Sequence, residues 1–205
     1  MNQVPYEFYT QKRWENWLGR AKESGFEIND ADEELCKESA IFVNMVDDVI
    51  LACLKLTARF EKGMLSLEKT LEVLGEIRDI VLADVEPISE DIDLMIESVQ
   101  NSLMGVIVAF ECYLMGEYEE GTDVGELINA AIEAEAAEDL ETALDYTAQC
   151  GAAVLKGKSL PEETLAELPE GIVAEWLDGI DSISAAMVGS DSYKEFEDDG
   201  DDDSI

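Results

Sequence analysis

DADEELCKESAIFVNMVDDVILACLKLTARFEK, residues 30–62, is the stretch whose reading decides the fold. Its apolar positions Leu35, Phe42, Val46, Val49, Cys53, Leu56 and Phe60, with Ser39 filling one gap, recur at alternating spacings of three and four, which is the seam of an α-helix. Cys36, Val43, Ile50 and Thr57 form a second row beside it and widen the stripe to that of a helix packed in a globular core. Asp30 is the expected N-cap, Asp32, Glu33 and Glu34 sit where the helix dipole favours anions, and Gly63 stands just past the end. The predicted helix is about 30 residues, or roughly 45 Å long.

Asn44, Asp47 and Asp48 interrupt this apolar run on the face opposite the seam. A carboxylate there must reach water, a partner donor or a metal, because an unpaired buried charge is costly. Glu34 and Glu38, one turn apart, add two carboxylates upstream. The face is read first as solvated; the sharper reading is a divalent-metal site made of Glu34, Glu38, Asp47 and Asp48.

Working outward, the same periodicity predicts an all-α chain. Before the long helix, residues 6–26 hold six of the fifteen aromatics and the only locally positive charge, with Thr10 capping a helix that carries Lys12, Arg13, Trp14, Trp17 and Arg20. Aromatics interleaved with cations can engage a partner, so these five are the candidate partner-binding residues. The alternative is an amphipathic lid whose tryptophans close the bundle and whose cations pair with its acidic surface.

After it, Ser66 begins a helix that stops before Pro87, and Ser89 caps another with its seam at Ile92, Ile96, Val99, Leu103, Val106, Phe110 and Tyr113. The two long helices are expected to pair at the centre. An alanine-rich run from Val124 to Leu155, capped at Thr122 or Asp123, predicts one bent helix or two with a break at 135–139. A short helix at Pro161 and a last one containing Ile172, Trp176, Ile180, Ile183 and Met187 complete a single-domain bundle of six or seven helices. The expected division is an N-terminal helix over 1–28, the bundle over 29–188 and a disordered acidic tail over 189–205.

Composition bounds function. The 205 residues are 47% apolar, enough to bury a core, yet 49 acidic residues face only 13 Lys and Arg, for a net charge of -36. Such charge works against nucleic acids and anionic membranes. It fits adaptation to salt, imitation of a nucleic-acid surface toward a basic protein, or solubility. No N-terminal signal sequence and no run of ~20 apolar residues is read, and Cys36, Cys53, Cys112 and Cys150 are too scattered for a disulfide frame or zinc site, so the expected location is cytoplasmic. With no histidine, Ser-His and Cys-His catalysis are excluded.

Glu33-Glu34 with Glu38, followed by Asp47-Asp48 and Val49-Ile50-Leu51, resembles the paired acidic motifs of all-α MazG-type nucleoside triphosphate pyrophosphatases. That resemblance implies magnesium or manganese held between helices and cleavage of a nucleotide's α–β phosphate bond. The pattern departs from the family's: the first motif has an extra residue before Glu38, and Asn44 stands where the second needs glutamate. As a whole, Tyr9-Thr10-Gln11-Lys12-Arg13-Trp14, two long aliphatic helices and the acidic C-terminus resemble an uncharacterised archaeal family of helical proteins. The expected function is a non-catalytic, cofactor-free interaction protein for a basic partner, with the metal-dependent pyrophosphatase as the alternative.

Overall fold

In a computed structural model the described residues, 8–28, 39–118 and 121–189, form eight helices and no strand. They are α1 (Gln11–Ser24), α2 (Ala40–Glu61), α3 (Leu67–Val81), α4 (Glu90–Met115), α5 (Val124–Ala136), α6 (Leu140–Leu155), α7 (Glu162–Ala166) and α8 (Ile172–Gly189). The expected all-α bundle is what forms. The upstream third of the predicted 30–62 helix, with its Asp30 cap, falls at 29–38, outside the described residues, as does the acidic tail from 190 on.

Local chemistry explains most boundaries. Thr10, Ser66, Ser89 and Asp123 each accept a hydrogen bond from the backbone N–H three residues on, satisfying donors that a helix start leaves open. The alanine-rich run is two helices: Glu138 sits at φ 60 and Asp139 then caps α6 through Thr142 N–H. Gly116 ends α4 in the left-handed region, which costs glycine nothing.

The centre is α4 rather than a symmetrical α2–α4 pair. It packs on α2, α3, α6 and α8, with Leu103, Val106, Ile107 and Phe110 fully buried along its middle. Length and composition alone would let α4 cross a membrane, but a helix wrapped on several sides by others reads the same way. Its closest neighbours are α6 and α8, because small residues stand at the crossings. A Cβ on Gly105 would lie 2.6 Å from the Trp176 carbonyl oxygen of α8, and one on Gly151 of α6 would overlap Ala109. Two side chains finish helix ends across the fold. Gln100 of α4 donates to the Val81 and Ala83 carbonyls at 2.9 Å, and Glu135 of α5 accepts from the Ile172 and Val173 N–H groups at the start of α8, at 2.6 and 3.3 Å.

Candidate functional site

The residues singled out in the sequence meet where α1 crosses α2. Trp14 is 1% exposed and belongs to the core. Arg13 and Trp17, one turn apart on α1, lie over Asp48 of α2. Arg13 Nε donates to Asp48 Oδ2 at 2.7 Å, its Nη2 donates to Oδ1, and the Trp17 indole N–H reaches Oδ2 at 2.8 Å. Asp48 is therefore a carboxylate with both oxygens engaged, of which only 15% of the side chain is exposed. A two-pronged, charge-assisted arrangement of this kind is the strong form of the ion pair.

Aromatic contacts extend the cluster. The Arg13 guanidinium lies 5.3 Å from the centre of the Tyr9 ring, and Arg20 4.7 Å from that of Trp17. The Tyr9 hydroxyl lies beside Asp48 but makes no hydrogen bond of normal geometry; burial first, and the Asp48 charge second, push its pKa up. Lys12 is exposed on the rim of a groove of about 700 Å³ that separates Phe8–Lys12 from Lys69, Val73, Ile77 and Ile80 of α3.

Of the four carboxylates read as a metal set, Glu34 and Glu38 lie outside the described residues. Asp48 is taken by Arg13 and Trp17, and its neighbour Asp47 is half-buried, which pushes its carboxyl above the usual range. No three Cys, Asp or Glu side chains gather as a metal-holding group among the described residues. Cysteine chemistry is also unfavourable: burial pushes the Cys53 and Cys150 thiols up to about 12. Cys112, lining a cleft of about 280 Å³ between α4 and α6, is pushed up to about 11 by burial, with Glu117 and Asp145 adding to it.

The charge is unevenly divided along the chain. Between Arg78 and Lys156 there is no lysine or arginine, so α4, α5 and the whole of α6 carry carboxylates alone. The cations elsewhere largely serve the protein itself: Arg78 pairs with Glu111, Lys69 with Glu72, Lys158 donates to the Thr122 carbonyl, and Lys156 lies over the Tyr113 ring. Sequence reasoning missed this division and the Glu135 cap on α8; the long cation-free run was its visible signal.

Fold and site together define an all-α bundle with a clasped N-terminal helix and a run of helices from α4 to α6 that carries no cation of its own. The chain belongs to the family described as uncharacterized protein conserved in archaea (DUF2150), whose profile matches residues 7–196. No curated protein and no solved structure matches it.

Proposed function

We propose that this protein is a cytosolic, non-catalytic interaction module that binds a basic protein through its acidic half. The observation that carries the reading is the cation-free run between Arg78 and Lys156. Around the α5–α6 turn and α7, Glu138, Asp139, Glu141, Glu162, Glu163 and Glu167 are all exposed, and the only lysines near them in sequence, Lys156 and Lys158, are used internally. A surface of one sign raises the encounter rate with an oppositely charged partner and falls off with salt. The lack of histidine, the raised thiols and the engagement of Asp48 support a role without bond-making chemistry.

The test is affinity capture from archaeal lysate at graded salt, with the intact chain and with a variant carrying Glu138→Gln, Glu141→Gln, Glu163→Gln and Glu167→Gln. A defined basic protein retained by the native chain at low salt and lost by the variant is the expected result. Retention of that protein unchanged by the four substitutions, or no basic protein in either sample, overturns the reading.

A further inference from the structure

Residues 8–24 are attached by a mixture of strong and defective contacts. Of the fourteen residues of α1 only Trp14 and Ala21 are buried, and the helix packs on α2 and α3. Phe8, Tyr9 and Trp14 supply the apolar bulk. Yet Trp14 Nε1 is buried with no hydrogen-bond partner among the described residues, and the Tyr9 hydroxyl, beside Asp48, makes no hydrogen bond of normal geometry. A donor that leaves water and gains nothing in return works against the docked state. The same stretch is open along one side, where the groove of about 700 Å³ lies between it and α3. The apolar burial of Phe8, Tyr9 and Trp14 offsets these defects together with the grip of Arg13 and Trp17 on Asp48, which is the polar anchor of the segment.

We infer that residues 8–24 form a latch, a cooperative unit that opens from α2 and α3 while α4, α6 and α8 stay folded, and that the contacts of Arg13 and Trp17 with Asp48 are its clasp. Opening returns the Tyr9 hydroxyl and the Trp14 indole N–H to water. It also releases Arg13 and Trp17 from Asp48 and uncovers Trp14, which is 1% exposed when docked, so the exposed cations of α1 gain their full aromatic complement only in the open form. Local openings of this kind lie below the free energy of global unfolding and involve contiguous segments. This inference is independent of the basic-partner reading, because the latch lies on α1–α3 and the acidic half on α4–α7.

Amide hydrogen exchange on the intact chain, read by mass spectrometry, tests it, with Arg13→Gln and Trp17→Phe as variants. Arg13 is 46% exposed, so replacing it leaves the core intact. The expected result is one common protection level across Glu15 to Ser24, well below that of α4. Arg13→Gln should lower it roughly tenfold for all those amides together with α4 and α6 unchanged, and Trp17→Phe should act in the same direction to a smaller extent. Protection in α1 equal to that in α4, a gradient fraying from the helix ends, or a shift of α1 and α4 by the same factor would each overturn the latch.

Discussion

Replacing Gly105 with alanine tests the packing that makes α4 the centre of the bundle. The added Cβ would stand 2.6 Å from the Trp176 carbonyl oxygen, 2.8 Å from its Cα and 2.9 Å from its Cβ. Carbon contacts are comfortable near 3.5–4.0 Å, so α8 must retreat by about 1 Å. Two of the three obstructing atoms are backbone and cannot rotate aside. Overfilling a packed core costs roughly 1–3 kcal/mol, occasionally more, while alanine in a helix gains up to about 1 kcal/mol over glycine. The overlap here is against a rigid helix on the crowded side of α4, so a net loss of about 2 kcal/mol is expected, or a fall in Tm of roughly 4–8 °C for a chain of this size. Gly75 is the internal control: its added Cβ meets only the Arg78 Nη2, at 3.9 Å. Gly75→Ala should therefore gain about 0.5–1 kcal/mol from helix propensity alone. Both variants are measured by thermal and urea unfolding against the parent chain. Gly105→Ala as stable as the parent, or Gly75→Ala losing as much as Gly105→Ala, would refute the close-approach argument.

Other perturbations act on side chains that bridge elements. Glu135→Ala removes the acceptor for the Ile172 and Val173 N–H groups and should lower the urea-derived stability by about 1–2 kcal/mol. Asp47→Asn should stabilise at pH 7. The carboxyl's folded pKa is raised by burial, so the folded state holds the proton more tightly. The penalty is present above that pKa and relieved as pH falls through it, so the gain should shrink between pH 7 and pH 3.5 in urea titrations. Because the net charge is -36, raising NaCl from about 0.01 M, where the Debye length is about 30 Å, to about 1 M, where it is about 3 Å, should raise Tm steadily; a flat profile would show that self-repulsion is unimportant to the fold.

What could be read in the sequence was what is local. Caps at Thr10, Ser66, Ser89 and Asp123, the break at 135–139 and the seam of α4 depend on residues within a few positions of one another. The choice of central partners did not, because it turns on Gly105, Gly151 and Gly179, residues whose value lies in what they allow a distant helix to do. Asp48 shows the same boundary. Its position within an apolar run demanded a partner, and the cations on α1 were among those that could supply one, but a pairing across 35 residues is not a periodic signal. The two halves of the clasp were both legible, and their meeting was a matter of tertiary register. Glu135 and Ile172, 37 residues apart, escaped entirely for that reason.

The cation-free run also governs how this protein can be observed. A protease that cuts after lysine and arginine finds no bond to cleave from Asp79 through Leu155, so its digest leaves α4, α5 and the whole of α6 in one large peptide. Amine-directed cross-linkers have no anchor there either. A partner seated on α4–α6 could be tied by amine chemistry only through lysines outside the run, such as Lys156 and Lys158, and carboxylate-directed coupling is the chemistry that would record contacts within it.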